Sequence, residues 1–355
     1  MTSLATLLLA VISAAVLSSA VRRLPVPQAV PLPDRWHRRV TPVTGGIALF
    51  GAFVLALQPA FFSAAVDQRY FPLVLAAGAA FALGLWDDVA SIGVRTKFAG
   101  QLAIALAAAI AGVRPDWLPL WAGIPVACLI LVASMNSFNL LDNMDGLAAG
   151  TAAIAAIGLA LVGGLVAGSG SPVVAAALAG ACLGFLPFNY RPRRPAALFM
   201  GDSGSHMLGI TIGGLALLAS PEGAGGAAAA VAAPILILAL PMFDTALVML
   251  MRFSEGRPVC QGGRDHSSHR LVYSGLGERR AVAILLAITV NCTATAIALV
   301  IFQDPLLTAL VAGATLAGLI AFAAQLVLIT EGSGRVVGLV SGGPEKVKER
   351  SANVL

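Results

Sequence analysis

The feature that most constrains this chain is a succession of apolar runs, each close to a membrane span in length, separated by short polar stretches. A helix needs roughly 20 residues to cross a hydrocarbon core of about 30 Å, and in lipid its backbone polar groups must be satisfied internally. The runs therefore predict an all-α, polytopic membrane protein with about eleven transmembrane helices, over residues 2–21, 43–62, 70–86, 98–113, 119–137, 147–168, 172–188, 203–219, 225–250, 281–302 and 306–330. Composition points the same way. Apolar residues make up 58% of the chain and charged residues only 11%, against about 25% charged in soluble domains. A soluble fold is excluded. No fixed-period repeat is visible, so residues 1–330 read as one transmembrane domain, and 331–355 as a disordered cytoplasmic tail.

Charge sets the orientation. Segments 22–42, 87–97, 189–202, 251–280 and 331–355 hold 20 of the 22 Lys and Arg, leaving only Arg69 and Arg114 for the other side. Basic loops stay in the cytoplasm, which puts the N-terminus outside and the C-terminus inside a bacterial plasma membrane. The net charge of +5 is accounted for by these loops rather than by a nucleic-acid partner. The first run has no basic start and carries its arginines after the apolar stretch, the charge order of a retained anchor rather than a cleaved signal peptide. The four cysteines have neither pairing nor metal spacing. Cys128, Cys182 and Cys292 read as helix packing, and Cys260 as a loop thiol.

Thirteen of the 17 acidic residues lie in or beside the segments of the cytoplasmic side, counting 138–146, which has no Lys or Arg. Several abut apolar helix ends, in LGLWDDV, LLDNMDGLA, LFMGDSGS and LPMFDTA, where an unpaired carboxylate is costly. A shared divalent cation is the simplest relief, and magnesium takes one or two carboxylates plus substrate phosphates. Asp87 and Asp88 end the third run. They are either a helix-end feature or a functional pair, and at the negative end of a helix dipole they need a compensating charge, from a metal or from Arg95 and Lys97. Asn136, Asn139, Asp142 and Asp145 recur at steps of three, one polar stripe on a helix that suits a nucleotide or metal site. Three arginines, including Arg194, precede the GDSGS turn. There Asp202 and Ser203 are either ordinary N-caps or part of a phosphate-binding helix start. The longest inner loop places His266 and His269 between Arg264 and Arg270, a grouping suited to a diphosphate. Zinc lacks enough ligands there. His206 and His37 are weaker candidates.

Six blocks, DRWHRRVTPVTGG, GLWDDV with RTKFAGQ, NSFNLLDNMDGLAAG, FNYRP with FMGDSGS, PMFDT with the Arg252 loop, and DHSSHRL, occur in this order on one predicted face over about residues 33–280. In them the chain resembles the polyprenyl-phosphate N-acetylhexosamine-1-phosphate transferases, the membrane family that contains the MraY and WecA enzymes. The resemblance implies transfer of a sugar 1-phosphate from a UDP-sugar to undecaprenyl phosphate with Mg2+ or Mn2+, releasing UMP, as the first membrane step of an envelope glycan such as lipopolysaccharide. It also implies residue roles: Asp87, Asp88, Asp145 and His269 in catalysis; Lys97, Asn136, Asn139, Asp142 and His266 in substrate binding; and Asp202, Asp87 and Asp142 on the metal. Arg194, Arg264 and Arg270, read from their own basic segments, join the substrate-binding set. The active site is expected on the cytoplasmic face, with room for a homodimer. One departure matters. The usual His-x-His-His reads His266-Ser267-Ser268-His269 here, which sets the chain apart from the muramoyl-pentapeptide branch, with its three consecutive histidines, and nearer to WecA and the teichoic-acid enzymes. That muramoyl-pentapeptide transferase and a transporter of anionic solutes are the alternatives. A transporter would place its polar groups near mid-membrane in two related halves, and this chain places them at one face.

Overall fold

The computed structural model describes residues 2–23, 28–29, 39–63, 66–165, 171–191, 194–219, 227–258 and 263–340. His37, Cys260 and the end of the expected tail lie outside them. The chain is helical almost throughout: α1 (Ser3–Val21), α2 (Gly45–Phe62), α3 (Phe71–Ala90), α4 (Val94–Ile110), α5 (Leu120–Leu141), α6 (Leu147–Leu165), α7 (Ser171–Asn189), α8 (Gly201–Leu218), α9 (Ala227–Ile237), α10 (Ala239–Ser254), α11 (Ser267–Tyr273), α12 (Glu278–Phe302) and α13 (Pro305–Val340). Two short strands, Gln28–Ala29 and Thr41–Pro42, pair antiparallel before α2. The last helix runs ten residues past the expected start of the tail, because GRVVGLV continues its apolar character.

Every run expected to span the membrane coincides with a helix, but the helices are not equal. Among the described residues eight are long and apolar enough to cross a bilayer. The run at 225–250 is broken instead: its two halves, Val231–Ile237 and Ala239–Ser254, meet at 67°. Pro241 explains the break, since it has no N–H to offer the Ile237 carbonyl one turn back. Helix α4 has only 17 residues, and α8 opens on the polar GDSGSH, so both fall short of that apolar standard.

Helix α8 is the centre of the bundle, buried from Ser203 to Leu218 with α3, α5 and α2 around it. A helix sequestered on every side has no lipid face to keep apolar, so its first turn is free to be polar. At the periphery the logic reverses. In α1, Leu4, Leu8, Ile12 and Val16 are exposed as a lipid-facing stripe, while Ala10 and Ala14 are buried. Opposite them on α7 stand Gly180 and Gly184, where an added Cβ would come within 2.3 Å of the Leu7 and Val11 carbonyl oxygens. Small residues let the two backbones touch, as packing between helices in lipid requires.

Alternating helix direction gathers the ends of α3, α5, α7 and α10 and the starts of α2, α4, α6, α8 and α12 at one face. A backbone link ties part of that face together: Phe199 donates to the Pro42 carbonyl (2.9 Å), while Gly45 and Gly46 donate to Phe199 and Met200 (2.8 and 2.9 Å). The TPVTGG and FMGDSG blocks, far apart in sequence, thus form one platform.

Candidate active site

Asp87 and Asp88 leave the end of α3 in different directions, because consecutive residues on a helix face different neighbours. Asp88 turns to the start of α8 and accepts from the backbone N–H groups of Asp202 (2.8 Å) and Ser203 (3.0 Å). The positive end of the α8 dipole therefore supplies the charge that this carboxylate needs. The turn is tight. Gly201 has φ +68, and a Cβ there would lie 2.6 Å from Asp88 Oδ2, so glycine is the residue that fits.

Asp87 turns to Lys97 on α4, whose Nζ donates to its Oδ2 at 2.9 Å. The same ammonium is paired with Asp202 Oδ2. The other oxygen of Asp202 accepts from Asn139 Nδ2 (2.8 Å), which also reaches Ser205 Oγ (3.1 Å). Four of the expected site residues, on α3, α4, α5 and α8, thus meet in one cluster. Asn136 stands a turn deeper. It donates to Gln101 Oε1 (2.8 Å), Gln101 Nε2 reaches His206 Nε2 (2.8 Å), and His206 Nδ1 bonds the Asp202 carbonyl (2.7 Å). This buried chain braces Asp202 from behind.

The turn between α5 and α6 carries two further acids. Asp145 accepts from the Ala196 N–H (3.0 Å), and Gly146 donates to Asn189, which holds the Leu198 carbonyl (2.7 and 3.1 Å). Burial raises the Asp145 carboxyl above its ordinary value, with the Ala196 bond acting against the shift. Asp142 has no hydrogen-bond partner among the described residues. Burial first, then the charges of Asp202, Asp145 and Asp88, push its carboxyl up to about 8.

The three carboxylates expected to share a cation, Asp87, Asp142 and Asp202, do not close on one point. Among the described residues no three His, Cys, Asp or Glu side chains converge closely enough to hold a metal ion. The Lys97 ammonium occupies the position between Asp87 and Asp202 that a cation was expected to take, and Asp142 stands apart, within electrostatic reach. The donor chemistry nevertheless suits a hard divalent ion. A half-buried carboxylate without a side-chain partner among the described residues, beside a second one, is a partial oxygen ligand set of the kind that substrate phosphates complete.

The histidine loop forms a second group. Asp244 on α10, fully buried, accepts from His266 Nδ1 (2.8 Å), Ser267 N–H (2.8 Å) and Ser267 Oγ (2.6 Å). His269 packs edge-on against His266 at 5.4 Å between centroids. Burial, with His266 and Arg264 adding to it, lowers the His269 ring to about 3, so it is neutral at neutral pH. Arg270 Nε donates to the Asp265 carbonyl (3.0 Å) and so braces the loop, whereas Arg264 is exposed. Arg252 and Arg257 both reach the Asp265 carboxylate. Burial alone would raise Asp265; its bonds from Arg257 and Arg252 outweigh this and hold it below its usual range. Ser268 Oγ donates to Asn143 Oδ1 at 2.6 Å, which joins this loop to the turn bearing Asp142 and Asp145.

Arg194 lies in a third place, an open cavity of about 320 Å³ that it lines with Arg39, Arg191, Thr41 and Ala196. Ala196 connects it to Asp145. Sequence reasoning assigned no role to Gln101, Asn143, Asn189 or Ser205. Asp244 was noted as an acid in an apolar segment but given no task. The signal was present for two of them: Gln101 ends RTKFAGQ, and Asn189 begins NYRP.

Comparison with known proteins places the chain by sequence. The family model for glycosyl transferase family 4 matches residues 70–220, which span Asp87 to Asp202. The chain is 34% identical over 312 residues to a decaprenyl-phosphate N-acetylglucosaminephosphotransferase of Mycolicibacterium smegmatis, covering 78% of this chain and 76% of the relative. It is 30% identical to a probable undecaprenyl-phosphate N-acetylglucosaminyl 1-phosphate transferase of Bacillus subtilis, over 71% of each chain. A phospho-N-acetylmuramoyl-pentapeptide-transferase of Desulforudis audaxviator is 35% identical, over 51% of this chain and 64% of its own.

Proposed function

This chain belongs to glycosyl transferase family 4, and on that premise we propose that it transfers N-acetylglucosamine 1-phosphate from a UDP-sugar to a polyprenyl phosphate, releasing UMP. The observation that carries the reading is the Asp87–Lys97–Asp202–Asn139 cluster with the unpartnered Asp142 beside it. A diphosphate cannot approach so many carboxylates unless a cation enters with it. Asp202, Asp142 and Asp87, which do not converge by themselves, would share in holding Mg2+ or Mn2+ once substrate phosphate oxygens complete the ligand set, and the bound ion would neutralise the diphosphate and stabilise the departing UMP.

The chain's own groups have separable tasks. An oxygen of the lipid phosphate attacks the sugar-side phosphorus of the UDP-sugar, and the bond from that phosphorus to the bridging oxygen breaks, leaving with UMP. One phosphoric anhydride replaces another, so the protein's work is positioning and charge neutralisation. Asp87 orients the acceptor phosphate. Lys97 exchanges a carboxylate partner for a phosphate oxygen. Asn139 holds Asp202 in place. No strong base is needed, because a phosphate monoester has a second pKa near about 6 and is largely ionised at neutral pH. His266, His269, Arg264 and Arg270 border the diphosphate, and Asp145 with Arg194 borders the nucleotide. The arginine-rich loops that surround this end of the bundle support a site on the cytoplasmic face of the bacterial plasma membrane, and the resemblance to the Bacillus subtilis relative supports undecaprenyl phosphate as the acceptor.

The test is direct. Purified protein given radiolabelled UDP-N-acetylglucosamine, undecaprenyl phosphate and Mg2+ should move label into the organic phase with equimolar UMP, and chelation should stop it. If folded protein transfers no label from any of a panel of UDP-sugars, the transferase reading fails and uptake of anionic solutes into liposomes is the measurement to make next.

A further inference from the structure

We propose that Asp244 is a positioning residue for His266: it fixes which ring nitrogen carries the proton and so which one faces the substrate. The inference rests on the transferase reading above, and nothing in the expected set of site residues includes Asp244. Its carboxylate is 0% exposed on the second half of the broken helix. A carboxylate buried in a membrane protein is costly, yet among the described residues the salt bridge recorded for this one is to His266. It accepts three hydrogen bonds, and all three come from the first two residues of the histidine loop, His266 Nδ1, Ser267 N–H and Ser267 Oγ. An ionised carboxylate only accepts, so the proton must sit on Nδ1. That leaves Nε2, which has no hydrogen-bond partner among the described residues, to take a proton or to give one to a phosphate oxygen. In the second case Asp244 carries the charge that balances the ring. The pattern is that of a carboxylate that orients a working imidazole. The break at Ile237–Leu238 serves the same end, because it re-aims α10 so that Asp244 lies under the loop.

Asp244→Asn is the informative change. The amide can still accept from Ser267, but it presents N–H toward Nδ1 and forces the proton to Nε2. We expect kcat/KM to fall about 100-fold with the thermal midpoint kept near wild type, whereas Ser267→Ala, which leaves His266 bonded, should cost less than about threefold. The decisive readout is coupling. In a His266→Ala background Asp244→Asn should have no further effect, since the group it acts through is gone. Multiplication of the two losses, or full activity of Asp244→Asn alone, would overturn the proposal. Should Asp244→Asn not fold, His266→Asn replaces it: its amide can supply the N–H that Asp244 receives, so it should regain thermal stability over His266→Ala while staying equally inactive. No regain of stability would also count against the proposal. Wild-type turnover, measured alongside, separates its failure from failure of the transferase reading.

Discussion

Asp88 and Asp142 sit at the ends of α3 and α5, two spans that both pack on α8 and end at the same face, and their surroundings are opposite. Asp88 receives two backbone N–H groups from the start of α8, whereas Asp142 receives none among the described residues. The contrast separates architecture from chemistry within one acidic rim. A carboxylate whose oxygens are already used holds two helices together, and one left bare in an enclosed place is held ready for a ligand. Asp202 lies between the two, braced by Asn139 and His206 yet shared with the Lys97 ammonium.

The largest effect should come from the intermediate case. Asp202→Asn removes the charge at which Lys97, Asn139 and the expected cation meet, and turnover should fall by about a thousandfold or more. Label transfer into lipid extract measures it, and an active variant would sink the metal assignment.

A pair of variants tests the contrast itself. Asp142→Asn breaks no hydrogen bond, so its thermal midpoint should hold or rise, while the Mg2+ concentration for half-maximal activity should increase roughly 10- to 100-fold. Asp88→Asn should do the reverse. An amide facing two backbone donors satisfies one of them and leaves the other buried, at a cost of about 1–3 kcal/mol, so the midpoint should drop with little change in Mg2+ dependence. If Asp142→Asn destabilises the protein and Asp88→Asn does not, the division fails.

Much of this was legible in the residues. The helical spans follow from apolar run lengths, and the gathering of Asp87, Lys97, Asn139 and Asp202 follows from their position at span ends on the arginine-rich side. What could not be read was the partner of each acid. Asp87 and Asp88 are adjacent in sequence and read as a pair, yet a helix points them at different neighbours, α4 and α8. Asp244 reads as an acid in an apolar segment, and only the 67° bend brings it under His266. The stripe expected over Asn136, Asn139, Asp142 and Asp145 is cut short: α5 ends at Leu141, so Asn136 and Asn139 share the helix while Asp142 and Asp145 stand in the turn beyond it, and the four serve a deep brace, the cluster, an open carboxylate and a bond to Ala196. Spacing predicts a shared face and not what that face meets.

A smaller effect concerns Ser268, buried and bonded to Asn143. Ser268→Ala loses that link between the histidine loop and the Asp142 turn, at about 0.5–1.5 kcal/mol. Ser268→His adds an imidazole to a filled space and should cost about 1–3 kcal/mol. Denaturation in detergent ranks the two, and a histidine variant as stable as wild type would show the site to be roomier than the packing implies.

The smallest expected effect sets two groups kept neutral by burial against each other. The folded value of His269, about 3, lies below its ordinary 6.5. Its contribution to stability is whole above pH 6.5 and is lost as pH falls toward 3, because the unfolded chain takes up the proton first. Asp142 has the opposite sign. Its folded value of about 8 lies above the ordinary 3.8, so in cation-free protein stability falls as pH rises from 4 to 8. Thermal midpoints should therefore fall with rising pH below 6.5 in His269→Gln, where the two slopes no longer oppose each other, and flatten between pH 6.5 and 8 in Asp142→Asn. Mg2+ should flatten the wild-type curve as Asp142→Asn does, since a bound cation removes the reason for the carboxyl to keep its proton. A wild-type pH slope that Mg2+ leaves untouched would mean that the bare carboxylate is not where the ion goes.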